Sequence, residues 1–165
     1  MILPQRKQNR LKMFDYSSVN YYFVTVCAKD RKPYFGKIEN GKMVENQIGK
    51  LARRIWFELP DIFTGLGVDE FVVMPNHVHG ILVFRKNPQY RVAGKPATLS
   101  KIVGAFKSKT NVFTKREVLF KYSHIQLWQK TFYDRVIRND DDLLKTREYI
   151  LNNVAKWELD EYFQK

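Results

Sequence analysis

Residues 68–84 read VDEFVVMPNHVHGILVF, two apolar runs of strand length separated by Met74-Pro75-Asn76. Proline has no N–H to give to a central ladder, so the break falls at Pro75 and the runs are predicted to be two neighbouring strands. A short turn between them calls for an antiparallel sheet at the centre of the fold. The second run also carries His77 and His79. Residues i and i+2 of a strand project from one face, so two imidazoles lie side by side in an otherwise apolar segment.

The other segments fit round that pair. Residues 21–28, YYFVTVCA, are β-branched and aromatic and read as a first strand. Asn40-Gly41 marks a hairpin between two short extended pieces. Residues 46–59 set Ile48, Leu51, Ala52, Ile55 and Trp56 at helical spacing, and Pro60 marks the end. Residues 85–98, RKNPQYRVAGKPAT, read as a basic loop. A second helix is predicted from near Ser100, with Ile102, Val103 and Phe106 on one face and Lys101, Lys107, Lys109 and Lys115 adding charge. Residues 124–138 read as one or two late strands. A final helix opens on NDDD, with capping and acidic residues, and carries Leu143, Leu144, Ile150, Leu151 and Val154 as its expected buried stripe. No internal repeat interrupts this order. The simplest assembly is an α+β domain with a central antiparallel sheet and packed helices.

A chain of 165 residues is the size of one domain. We read residues 1–14 as a basic N-terminal arm and 15–165 as a single domain. No apolar run approaches the roughly 20 residues of a membrane-spanning helix, and the start, MILPQRKQNRLKMF, has no signal-peptide core. The lone Cys27 excludes an internal disulfide framework, and a cytoplasmic location is expected. The 29 Lys and Arg outweigh 17 Asp and Glu, for a net charge of +12. Excess positive charge favours polyanions. Combined with nine Tyr and three Trp, it suits single-stranded nucleic acid, whose phosphates meet cations while bases stack on rings.

A His-x-His pair on a strand suits a shared divalent cation, since neutral imidazole is a common ligand. Zinc-finger and His-Glu-x-x-His spacings are absent from the sequence. Two residues are candidates for a third ligand. One is His124; the other is Asn153, whose amide oxygen suits Mg²⁺ or Mn²⁺. Tyr149 lies four residues before Asn153 and shares its helix face. Tyr133 is a rival for any tyrosine chemistry because Asp134 adjoins it. Adjacent strand residues face opposite ways, however, so those two would not act together.

MPNHVHGILV, followed by WQKTFYDRVIR and YILNNVAKW, resembles the single-tyrosine transposases of the HUH superfamily. These include small insertion-sequence transposases and the REP-associated tyrosine transposases of bacteria. DYSSVNYYFVTVCAKDRKPYFG, IGKLARRIWFELP and LSKIVGAFKSKT fit the same family, so the likeness runs from about residue 15 to 157. It implies a ferredoxin-like or RRM-like HUH endonuclease fold, with His77 and His79 as the metal pair, Tyr149 as nucleophile and Asn153 as third ligand. It further implies a divalent metal (Mg²⁺ or Mn²⁺) and single-stranded or hairpin DNA as partner, and leaves a homodimer open. One departure stands out: the family commonly has Asn-Pro here, whereas Asn153 is followed by Val154, which lets the helix run on.

The resulting expectation is a metal-dependent enzyme that cleaves and rejoins single-stranded DNA through a 5′-phosphotyrosine. Lys107, Lys109, Arg85, Lys86 and Arg91 are the expected phosphate contacts. Two competing readings remain. One is a non-catalytic binding module on the same fold. The other is a metal hydrolase using His77, His79 and His124, for which Tyr149 would be dispensable.

Overall fold

The computed structural model describes residues 15–118, 126–159 and 162–163. The basic arm and His124 lie outside the described residues. In chain order the elements are β1 (Asn20–Cys27), β2 (Gly36–Glu39), β3 (Lys42–Glu45), α1 (Gln47–Phe57), α2 (Leu59–Ile62), β4 (Phe63–Val73), β5 (His77–Tyr90), α3 (Leu99–Phe113), β6 (Tyr133–Ile137) and α4 (Asp140–Asn152). Four strands form one sheet in the order β4-β5-β1-β6, each pair antiparallel. Apart from the β2–β3 hairpin, the order β1-α1-β4-β5-α3-β6 is the split βαββαβ arrangement of ferredoxin-like folds. This is the α+β architecture expected from the sequence.

β5 lies between β4 and β1 and is buried without a break from His77 to Phe84. Sandwiching explains why that run carries almost no polar residues. On one face, Tyr22, Val24, Val78, Leu82 and Phe84 pack with α1 and α3 in the main core. On the other, Ile81, Val83 and Ile137 meet Leu143 and Ile150 of α4. His77 and His79 alternate with the core residue Val78, so both imidazoles project toward the α4 face.

Gly80 is what lets α1 dock so close to the histidines. A Cβ there would lie 2.5 Å from the Trp56 ring and 2.8 Å from Phe71. Trp56 stacks on Phe71 at 4.7 Å and meets Phe106 edge-on at 5.3 Å. The absence of a side chain at residue 80 therefore seats the indole directly against β5.

Three readings need correction. Residues 85–90 are not loop: β5 continues to Tyr90, where Phe63 pairs with Tyr90 and Thr64 with Gln89. Pro88 is tolerated because β1 pairing has already stopped at Asn20↔Phe84; residues 95–97 bond to that side instead, where Pro88 accepts from Ala97 N at 2.8 Å. On α4 the buried positions are Leu143, Thr146 and Ile150. Leu144 and Leu151 are 57% and 65% exposed, being one residue round from the narrow stripe that touches the sheet. Finally, α4 ends at Asn152 with Asn153 as its cap, although Val154 keeps the chain in short helical turns through Leu159.

The Gly80 contact generates a test by urea unfolding. Gly80→Ala is expected to destabilise the protein by about 1–3 kcal/mol through overpacking. Gly104→Ala, whose Cβ would meet nothing within 4 Å on α3, should instead stabilise by about 0.5–1 kcal/mol.

Candidate active site

The turn before β5 orients the first histidine. Asn76 is buried, and its amide nitrogen donates to the carbonyls of Arg31 (3.1 Å) and Tyr162 (2.8 Å). With both amide hydrogens so used, its Oδ1 accepts from His77 Nδ1 at 2.9 Å. This leaves the lone pair of His77 on Nε2. The second histidine is oriented by β1, where Thr25 lies opposite His79 and its hydroxyl sits 2.8 Å from His79 Nδ1. A hydroxyl both donates and accepts, so Thr25 serves either tautomer of His79.

The two Nε2 atoms face each other at 2.9 Å. Ligands about 2.1 Å from one cation and at right angles would stand about 3.0 Å apart, so this spacing fits a cation's coordination edge. Both rings already have the outer hydrogen-bond partners that metal-ligating histidines require. Burial holds both imidazoles neutral: it is the main cause of the depression at His77, and it pulls His79 down to about 3. Neutral rings are the ligating form.

Tyr149 comes from the last full turn of α4. Its hydroxyl is 3.3 Å from His79 Nε2 in the same chain, while its ring meets Phe23 edge-on at 5.9 Å. The side chain remains 45% exposed, so one edge faces solvent. Two tethers hold α4 at this height. Arg147 donates through Nε to Asp69 Oδ1 (2.9 Å) and through Nη2 to Oδ2, tying the helix to β4 at a register shift between Val68 and Phe71. Arg135 on β6 binds Asp142 and, at 2.8 Å, Thr146. The Arg147 bonds hold the Asp69 carboxyl below its usual range.

Asn153 is buried, and among the described residues its Oδ1 has no hydrogen-bond partner. An uncompensated amide oxygen is costly in the core unless something is to bind it. Among the described residues no three His, Cys, Asp or Glu side chains gather to hold a metal. An amide oxygen is a type of ligand that Mg²⁺ or Mn²⁺ accepts. Tyr133 pairs with Thr25 and so shares the His79 face, whereas Asp134 pairs with Val24 and points to the other.

The expected phosphate contacts scatter. Lys107 is largely removed from solvent: its Nζ donates to the carbonyls of Gln129 (2.9 Å), Lys130 (3.4 Å) and Thr131 (2.9 Å), and burial pulls its ammonium down to about 8. Through these three carbonyls it straps the segment entering β6. Lys109 pairs with Glu58 at 3.3 Å, and Arg91 donates to the carbonyls of Asp61 and Pro60. Arg85 and Lys86 are exposed on β5, six and seven residues beyond His79, or roughly 20 Å along the strand. Sequence reasoning did not find Thr25, Asn76, Asp69, Arg147 or Tyr162. Asn76 read only as a turn residue, and the others reach the site through register and tertiary packing.

A model of the IS200-like transposase family matches residues 15–153. The chain belongs to that family. It is also 33% identical over 175 residues to an uncharacterized protein of Haemophilus influenzae strain Rd, an alignment covering 98% of this chain and 94% of that protein. Its fold is similar to the solved structure of a REP-associated tyrosine transposase bound to a REP hairpin. There the TM-score is 0.63 at 18% identity, over 92% of this chain and 76% of the other.

Two outcomes follow from this geometry. In chelator, the unfolded imidazoles bind protons below pH 6.5 while the buried ones stay neutral, so their stability contribution is complete above pH 6.5 and falls on acidification toward pH 3. Unfolding free energies from urea titrations should drop between pH 7 and 5 by up to about 1.4 kcal/mol per pH unit per imidazole, and His79→Gln should flatten that slope. Separately, Lys107→Met should lower stability by about 1–3 kcal/mol while leaving the salt dependence of DNA binding unchanged, as read by anisotropy.

Proposed function

We propose that this protein is a metal-dependent transposase that cuts and rejoins single-stranded DNA at hairpin or repeat ends. The observation that carries the reading is the 3.3 Å approach of the Tyr149 hydroxyl to His79, beside a second imidazole, in one chain. Simple nucleic-acid binding needs no phenol beside two neutral, converging imidazoles. A hydrolase using water would need His124 and would have no use for Tyr149.

In this reading His77, His79 and Asn153 would hold Mg²⁺ or Mn²⁺, which when bound would neutralise charge on the scissile phosphate. The chain does the rest. Asn76 and Thr25 fix the imidazole orientations, and the Asp69–Arg147 tether presents Tyr149 in line with the P–O bond. The Tyr149 oxygen bonds to phosphorus as the P–O3′ bond breaks. The phenol loses a proton and the leaving 3′-oxygen gains one, giving a 5′-phosphotyrosine and a free 3′-hydroxyl. Because the phosphoester is stored on Tyr149, attack by another 3′-hydroxyl rejoins a strand. Arg85 and Lys86 serve as phosphate contacts away from the cut. The REP hairpin of the structural neighbour supports a hairpin partner.

The test is a labelled hairpin oligonucleotide with single-stranded flanks, incubated with Mn²⁺ and run on a denaturing gel. Wild type is expected to give a protein–DNA adduct that EDTA prevents. Tyr149→Phe should abolish the adduct, at least a thousandfold, while binding changes less than about threefold. Cleavage retained in Tyr149→Phe would refute the mechanism and favour the water-using hydrolase.

A further inference from the structure

Next to the Tyr149 hydroxyl the sheet face and α4 enclose a cavity of about 320 Å³. That is near the lower end of the roughly 300–1,000 Å³ of ligand pockets. It suits a single nucleotide and is too small for a duplex. His79 and Tyr149 line it together with Thr25, Asp134 and the cations Arg31 and Arg135. A nucleotide flanking a phosphate bound at the histidines would enter here, because this opening adjoins His79 and Tyr149.

Four aromatic rings line the space: Phe23, Tyr133, Tyr149 and Tyr162. Three are already committed. Phe23 stacks on His79 at 5.4 Å and carries Arg135 over its face at 5.9 Å. Tyr162 is buried between His77, 4.7 Å away, and Arg31, 4.8 Å from its centroid. Tyr149 is held for chemistry. Tyr133 differs: its ring is 41% exposed, and the nearest ring in the wall is Tyr162 at 6.3 Å. Its backbone lies two strands across from His79, through Thr25, about 10 Å away. Its side chain therefore shares the face of the histidine pair.

We propose that this cavity is a subsite for one unpaired nucleotide beside the scissile phosphate, with the base stacked on Tyr133 and the sugar-phosphate toward Arg31. This rests on the transposase reading for its substrate and adds the subsite. Stacking on an exposed ring is tolerant of base identity, so Tyr133 holds the strand in place and leaves the choice of sequence to other contacts.

The experiment uses full-length Tyr149→Phe protein, which binds without cutting, and a fluorescent hairpin oligonucleotide with single-stranded flanks. An abasic residue is moved through each flank position and affinity is read by anisotropy, with Tyr133 intact, as Tyr133→Phe, and as Tyr133→Ala. One flank position is expected to cost roughly 5- to 150-fold in affinity when abasic. Tyr133→Phe should keep that penalty, and Tyr133→Ala should bind the intact strand as weakly as the abasic one and lose nothing further. A flat scan, or a penalty that persists in Tyr133→Ala, overturns the subsite. A flat scan alongside a wild-type Tyr149 adduct would leave the transposase reading standing. A Tyr133-dependent penalty with no adduct from wild type would do the reverse.

Discussion

The antiparallel pairing of β1 with β5 is the contact on which the rest of the site depends. Its register sets Thr25 opposite His79 and Cys27 opposite His77, which fixes the face on which both imidazoles lie. A slip of one residue would invert every side chain of β5. The histidines would then enter the core beside Trp56, and Val78 would face Tyr149. Burial on both faces resists such a slip, because the α1 side has room for Gly80 and nothing larger at that point.

With the imidazoles so placed, the orientation of α4 decides whether they have a partner. The helix touches the sheet along a narrow apolar stripe of Leu143 and Ile150 with Thr146 between them. Such a stripe would permit sliding or rolling. The Arg147–Asp69 fork and the Arg135 bonds to Asp142 and Thr146 restrict both, one from β4 and the other from β6. Partly exposed ion pairs add little stability. Their importance here is directional, since small shifts of the helix would move the Tyr149 hydroxyl out of reach of His79.

Charge is distributed with similar economy. The chain is strongly basic, yet several cations chosen for their position in sequence are engaged inside the protein. Lys107 braces the approach to β6, and Lys109 and Arg91 hold neighbouring segments. Arg31 and Arg135 line the cavity, Arg31 over the Tyr162 ring and Arg135 while bonding Asp142 and Thr146. Neither was singled out beforehand, because arginines on a short turn and on a half-exposed strand look alike wherever they occur.

The sequence by itself determined the strand pair around Pro75, the shared face of His77 and His79, the capped last helix and, through extended likeness, the family. These are local or periodic properties: a missing N–H, an alternation of two, a cap before acidic residues. It misjudged residues 85–90, because whether a proline-containing run joins a sheet depends on which neighbour is absent. It also misjudged Leu144 and Leu151, because helical spacing gives a stripe but not its width. Only the tertiary structure decided that Thr25 and Asn76 orient the imidazoles, that Asp69 and Arg147 tether the helix, and that Tyr149 rather than Tyr133 lies within reach of His79. Apart from the neighbours Asn76 and His77, those pairings join residues fifty-four to seventy-eight apart through strand register and helix docking, and both are set by how whole faces pack, which no single stretch of chain contains.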